Sequence, residues 1–503
     1  MMNTSNLKKK DDLFAALDLG SNSFHLIVAR MEGSVIHPVQ RVKERIKLRA
    51  GLDENQQLNN ESILRAVDYL EKVGDMLKEI APARVRVVGT HTIREAKNRN
   101  AFLLLAERAL GFPIEIISGR EEARLIFQGV VRSESLNGTT LVVDIGGGST
   151  EIAVGDGNIP KLRESRSLGC IGYSERFFSK EISQDMFKKA HIAALQKLEL
   201  CSYRFKKFEL SQAIATSGTA KALIKAVGLV SDNKEGLLLT DLLALRDLLC
   251  QKGGMSKLSW VGIDEKRAKI LPGGLAIMIA IMESLNIKLL TYCDFALREG
   301  ILHEMNQQSD QNNTRLITRQ EVQTCYQVDR KHALHVAETC DLLFQQVAQE
   351  WAITAPKHRN LLLEAAHLHE VGLQISTSDF QRHSCYILAN SDLSGYNKDE
   401  QELLSVLVNH FRKKFKPENL PSLRIINNKT LVRLIRLLRL AVILNSSRQP
   451  LLLDLVKLKA KSDNLELTID KQFFLEQELN VADLEKESEL MTKLGVELLV
   501  YSN

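Results

Sequence analysis

The residues of this chain best suited to chemistry sit in two copies of one turn. Residues 14–26 read FAALDLGSNSFHL and residues 140–152 read TLVVDIGGGSTEI. Superposed, Asp18 matches Asp144, Gly20 matches Gly146 and Ser23 matches Ser149. Each copy is an apolar run, then Asp-x-Gly with small polar residues, then a second apolar run. That pattern predicts a buried strand entering a tight turn. Gly20, Gly146, Gly147 and Gly148 let backbone N–H groups approach a ligand, and Ser21, Asn22, Ser23, Ser149 and Thr150 add side-chain donors. Clustered donors in a turn suit an anion, phosphate above all. An aspartate beside that anion makes sense when a cation such as Mg²⁺ bridges the two.

Other residues extend the set. Asp144 and Glu151 flank the second turn and are candidate Mg²⁺ ligands; a turn-capping Asp144 beside a solvated Glu151 is the plainer alternative. A third small-residue turn at 215–219 offers Ser217, Gly218 and Thr219. Glu121 follows Ser118 by three residues at a strand-to-helix junction, which is a capping-box spacing. The same position suits a carboxylate that deprotonates a water for attack on phosphorus. Arg94 follows a buried strand and could clamp a phosphate or pair with a nearby acid. Arg41, Lys43, Arg45, Lys47 and Arg49 alternate with apolar residues, so one extended strand would carry five cations on one face. Such a face serves either as an aggregation-resistant edge or as a track for a linear polyanion.

The elements that must position these groups follow from periodicity. Strands are predicted at 13–17, 24–29, 35–39, 42–48, 85–89 and 114–117, with helices at 61–80, 102–110 and 121–132. The second turn opens a similar block to about 305, with an apolar helix starting at 272–274. Two related α/β domains with a cleft between them are expected, at 1–133 and 134–306. Residues 307–313 read as a linker. The stretch 314–447 reads as all-helical and 448–503 as a small α+β domain, with a strand at 465–469, a helix at 482–499 and Pro450 as the break. Arg433, Arg436 and Arg439 read as a solvated helix face or an extension of a polyanion channel. His335, His369, Glu370, His383 and His410 lie in the helical region. A His-Glu doublet and Asn445 stand where metal-binding acids would help, so no intact metal-ligand set is expected there.

Composition sets limits. A chain of 503 residues with 44% apolar content fits about three domains. A net charge of +5 argues against a protein that coats nucleic acid. Seven scattered cysteines without a CxxC pair fit reduced thiols. The run Lys8 to Asp12 precedes no secretion-type apolar segment, and no apolar stretch reaches membrane-spanning length. A cytoplasmic protein is expected, with peripheral contact at the inner face of the cell membrane left open.

Eight stretches together resemble the exopolyphosphatase / guanosine pentaphosphate phosphohydrolase family over nearly the whole chain. They are DLGSNS at 18–23, GTHTIR at 89–94, IISGREEAR at 116–124, DIGGGSTE at 144–151, SGT at 217–219, ALREG at 296–300, LHEVG at 368–372 and HSCYIL at 383–388. The resemblance implies two actin-like (sugar-kinase-like, ribonuclease H-like) domains, an all-helical HD-like domain and a small α+β domain. It implies Mg²⁺-dependent, processive release of orthophosphate from inorganic polyphosphate by a homodimer. It assigns Glu121 as catalytic base and Asp144 and Glu151 as metal acids. The stretches at 90–92 and 386–395 look closer to long exopolyphosphatases than to guanosine pentaphosphate hydrolases. The remaining alternatives are that second activity, a kinase using the same cleft, and a non-catalytic polyphosphate-binding protein.

Overall fold

The computed structural model describes residues 13–502 apart from 34, 234, 253–262, 307, 415 and 450. The Lys8 to Asp12 run, position 307 and Pro450 therefore lie outside the described residues. Two compact units are present, 1–311 and 312–503.

The first unit is built on two sheets with one wiring scheme. β1 (Leu13–Leu19), β2 (Phe24–Glu32) and β3 (Val35–Glu44) form an antiparallel meander, and β4 (Val85–Gly89) and β5 (Ile114–Ile116) continue it in parallel, giving the order β3-β2-β1-β4-β5. The second sheet has β6 (Thr139–Ile145), β7 (Thr150–Asp156), β8 (Ile159–Arg166), β9 (Gln212–Thr216), β10 (Leu237–Leu238) and β11 (Leu289–Tyr292), in the order β10-β11-β9-β6-β7-β8. Read from β8, it repeats the first sheet and adds β10. The duplicated turn is thus the start of a duplicated sheet.

Strand parity aims the two aspartates. Ala15, Leu17 and Leu19 pack into the outer core of the first sheet, and Leu141, Val143 and Ile145 into that of the second. Ala16 and Val142 point the other way, into an inner core that also holds Phe127, Leu125, Leu297 and Ile301. Successive side chains alternate faces, so Asp18 and Asp144 share the inner side with Ala16 and Val142.

The helix Gly119–Ser133 crosses the helix Leu297–Asn306 in backbone contact. A Cβ on Gly300 would stand 1.9 Å from the Leu125 carbonyl oxygen, and one on Gly129 would stand 2.1 Å from that of Ala296. The same crossing buries an ion network. Arg124 binds both oxygens of Glu121 and one of Glu304, and Arg86 binds the other oxygen of Glu304.

Several boundaries differ from expectation. β3 is one strand where two are predicted, and it ends at Glu44. The backbone from Gln308 is already in the helix Gln308–Cys325, where a linker is predicted. In the second unit five helices, Arg330–Val347, Pro356–Leu368, Phe380–Asn390, Lys398–His410 and Asn428–Leu444, surround one core. The sheet β12 (Lys457–Lys461), β13 (Asn464–Ile469) and β14 (Leu498–Ser502) contributes Leu465, Leu467 and Leu498 to that same core, so position 448 is not a core boundary. Arg433, Arg436 and Arg439 are buried rather than solvated. Arg433 binds Asp463 and the Trp351 carbonyl, and Arg439 binds Glu487 and two backbone carbonyls. Their helix is largely covered, so Arg433 and Arg439 are held by internal acceptors, while Arg436 lies in the field of Asp463 and Glu487 with its Nε unpartnered. The seven cysteines are free thiols. No described helix is long and apolar enough to cross a membrane.

Gly300→Ala is expected to force the crossed helices apart at a cost of about 1–3 kcal/mol, the usual range for overpacking. Thermal unfolding reads this as a lowered Tm; an unchanged Tm would show that the contact has room to relax.

Candidate active site

The two hairpin turns meet at one cavity of about 420 Å³. In the first hairpin Asp18 pairs with His25 and Leu19 with Phe24, which leaves Gly20 to Ser23 as the turn. In the second, Asp144 pairs with Glu151 and Ile145 with Thr150, and Gly146 N–H donates to the Ser149 carbonyl at 2.9 Å. A Cβ on Gly147 would lie 3.7 Å from Ser21 Cβ, so the turns nearly touch. Gly148 has no room for a side chain: its Cβ would sit 2.3 Å from the His91 ring.

Asp18, Gly20, Ser21, Asn22 and Ser23 line the cavity, as do Asp144, Gly146, Gly147, Gly148, Ser149 and Glu151. Ser217, Gly218 and Thr219 line it too, from the N-terminus of the helix Ser217–Val227. The Ser217 and Thr219 hydroxyls donate to the Ile145 carbonyl at 3.1 and 2.7 Å, which ties the third turn to the second. Ser217 holds φ at 83°, a strained conformation of the kind found at functional sites. Thr150 does not reach the cavity: it is fully buried, and its hydroxyl donates to the Leu168 carbonyl.

Glu121 does not reach the cavity either. Both its oxygens accept from Arg124 at 2.7 and 2.8 Å in the buried network. The neighbouring Glu122 lines the cavity instead. Ser118 caps the helix by accepting from Glu121 N–H at 3.1 Å, so the backbone half of the capping pattern is present while the Glu121 carboxylate goes to Arg124. Adjacent helix residues point about 100° apart, and the Arg124 pair decides which of the two acids turns inward. Arg94 is not among the residues that line the cavity. Its Nη1 donates to the Ile117 carbonyl at 2.9 Å and to Glu122 Oε2 at 3.2 Å, so it orients Glu122.

The five-cation face does not form. Arg41 and Lys43 lie in β3 and line the cavity. Beyond Glu44 the chain bends: Lys47 takes φ of 55°, and Arg49 lies in the short 3-10 helix Leu48–Gly51. The Lys47 and Arg49 N–H groups donate to the Asn22 and Ser21 carbonyls at 2.8 and 3.0 Å. This segment braces the first turn, and Arg45 pairs with Asp264 at 3.0 Å. The cationic wall comes instead from Lys221, Arg267 and Arg298, beside Arg41 and Lys43. Arg298 lies in the 296–300 stretch already singled out; Lys221 and Arg267 carry no local signal.

The acids repel one another in a dry setting. Burial raises Asp18 to about 7, with Glu122 and Asp144 adding to the rise against Arg298. Burial and Glu122 raise Asp144 to about 7, partly offset by a Ser217 hydrogen bond. Glu151 is pushed well above the carboxylate range by burial, Glu122 and Asp144. Burial raises Glu122 too, opposed by Arg94. Asp18 Oδ1 is buried with no hydrogen-bond partner. Oxygen donors without protons or partners fit a hard divalent cation. On the cationic side, burial and then Arg267 and Arg298 lower Lys43 to about 8.

These features have known counterparts. The Ppx/GppA phosphatase family matches residues 26–309, and its domain III matches residues 314–488. The chain belongs to the Ppx/GppA phosphatase family. It is thereby a hydrolase of phosphoanhydrides. Guanosine-5′-triphosphate,3′-diphosphate pyrophosphatase of Vibrio cholerae serotype O1 is 36% identical over 484 residues, covering 96% of this chain and 97% of the relative. The protein of the same name from Aeromonas salmonicida is 35% identical over 484 residues, with the same coverage. An exopolyphosphatase from Cytophaga hutchinsonii shares the fold at a TM-score of 0.52 and 24% identity, over 58% of this chain and 97% of that one. The Aquifex aeolicus Ppx/GppA family member does so at 0.51 and 22%, over 59% and 98%. The actin-like Ppx/GppA fold and a helical C-terminal region are thus established for this chain.

The raised aspartates set a sign for stability. A carboxyl group whose folded value lies above its unfolded one stabilises below the unfolded value, and that contribution is lost as pH rises through the folded one. For Asp18 and Asp144 the window runs from 3.8 to about 7. In chelator, the Tm of Asp144→Asn should gain on wild type as pH rises from about 4 to about 8, because the variant has one fewer carboxylate to ionise. Adding Mg²⁺ at the upper end should raise the wild-type Tm more than the variant's. Parallel curves with no Mg²⁺ effect would remove Asp144 from the cation site.

Proposed function

We propose that the protein hydrolyses the terminal 5′-phosphate of guanosine 5′-triphosphate 3′-diphosphate. The observation that carries this reading is the 36% identity, across 96% of the chain, to relatives named for that substrate. It reverses the order reached from the sequence, where the stretches at 90–92 and 386–395 ranked long-chain polyphosphate first. Two short stretches weigh less than similarity over the whole chain. Polyphosphate is kept as a second reading because five cations, Arg41, Lys43, Lys221, Arg267 and Arg298, line the cavity and suit a row of phosphates.

The chemistry is in-line displacement. A water oxygen forms a bond to the terminal phosphorus as the bond to the bridging oxygen breaks. Orthophosphate and the shortened anhydride leave, and the water proton passes to a base. Glu122 is that base: it lies in the cavity, acts in its unprotonated form, and burial raises its proton affinity against the pull of Arg94. Arg94 positions it. The N–H groups of the twin turns bind the phosphate oxygens, and the cationic wall holds the rest of the substrate. Asp144 and Glu151, with Asp18, would hold Mg²⁺, which when bound neutralises charge on the anhydride.

Two tests follow. Orthophosphate release from the guanosine compound and from defined-length polyphosphate, each with Mg²⁺, should give the higher kcat/KM for the nucleotide. A preference for polyphosphate would hand the assignment to the second reading, and no release from either would end both. Glu122→Gln should keep its fold and lose about 10²–10⁴ in kcat, the usual contribution of a general base. Glu121→Gln should instead lower the Tm, by about 3 kcal/mol of stability, because it removes one partner of a buried ion pair. The opposite pattern would restore Glu121 as the base.

A further inference from the structure

The second unit contains a separate site that this function does not use. His332, His369 and Glu370 each offer a ligand atom, and those atoms lie within 4.8 Å of one another. His332, rather than the His335 considered from the sequence, is the histidine beside His369. The region read as lacking intact metal ligands therefore brings a ligand set together.

Three observations single it out from ordinary buried histidines. First, the tautomer is fixed. His369 Nδ1 lies 2.7 Å from the Ala366 carbonyl, which accepts only, so Nδ1 carries the hydrogen and Nε2 presents a lone pair. Second, that lone pair has no partner: His369 is 1% exposed, and its Nε2 is without a hydrogen bond, as is Nδ1 of the 4% exposed His332. Third, the carboxylate is held from outside. Arg448 donates to Glu370 Oε1 at 2.6 Å, the kind of outer hydrogen bond that orients metal-binding acids. The supporting backbone is rigid. Ser384 bridges the His369 carbonyl and the Gly372 N–H, and a Cβ on Gly372 would stand 2.2 Å from the Phe380 carbonyl.

The three residues line a cavity of about 1070 Å³. Its wall also carries Arg412, Lys413, Lys414, Lys486 and Lys493, in excess over the acids Asp483, Glu487 and Glu489, of which Asp483 pairs with Lys486 and Glu487 with Arg439. Two imidazoles with one carboxylate suit a zinc-class ion and leave coordination positions open, whereas Mg²⁺ favours oxygen donors alone. A basic wall beside those open positions suits a phosphate-type anion.

We propose that His332, His369 and Glu370 bind a divalent ion of the zinc class, and that this ion and the surrounding cations together receive a phosphate-bearing anion. The site is independent of the phosphoanhydride cleft.

Cobalt(II) titrated into the chelator-stripped full chain tests this. One equivalent should bind with visible d–d bands and no thiolate charge-transfer band, and Zn²⁺ should displace it. His369→Gln and Glu370→Gln should each weaken binding at least tenfold, since even outer partners of metal ligands are worth about 10–100-fold. Inorganic phosphate should change the band shape. Absence of the wild-type cobalt spectrum would overturn the site even if both variants failed to fold. Undiminished binding in two folded variants would overturn it as well. Bands indifferent to phosphate would overturn the anion half.

Discussion

Four carboxylates held in a small dry cavity are the constraint on which the rest depends. Burial raises the proton affinity of Asp18, Glu122, Asp144 and Glu151, and the Glu122 charge adds to the rise of the other three. A fold keeps such repulsion only where something else relieves it. Across the same cavity stand five cations, and burial beside Arg267 and Arg298 lowers the proton affinity of one of them, Lys43. A cation on the acidic side and a polyanion on the basic side would relieve both at once.

The fold supplies this arrangement by repetition. Each sheet begins with the same meander, and in each the turn after the first strand faces the inner side. Neither turn alone could surround a phosphate. The helix Gly119–Ser133 adds a further wall, and its buried Glu121–Arg124 pair fixes the rotation that brings Glu122 inward. A pair outside the cavity thus decides which of two adjacent acids lines it.

Much of this was legible in the sequence, and what was not has a physical reason. The twin turns, their glycines and their aspartates are local patterns, and both sheets follow from them. The resemblance assigns Glu121 as base and its spacing from Ser118 marks a cap; neither reports that its carboxylate is taken up by Arg124, which also binds Glu304, 180 residues further along the chain. The alternation at 41–49 pointed to a long strand, but backbone bonds to Ser21 and Asn22 bend it. Lys221 and Arg267 were invisible because only the third dimension carries them to the cleft. The arginines of the helix Asn428–Leu444 looked solvated because charge usually is. Here each has an internal acid or carbonyl, or lies beside residues that do. The His-Glu doublet alone lacks the aspartate of a metal-binding pair, and only folding brings His332 to it from another helix.

The most direct test of the central claim is an anomalous difference map from crystals grown with Mn²⁺ and a non-hydrolysable guanosine pentaphosphate analogue. The account requires a peak bonded to Asp144 or Glu151, with the terminal phosphate seated between the turns at 20–23 and 146–149. A phosphate bound elsewhere, or seated between those turns with no metal beside the acids, would contradict it.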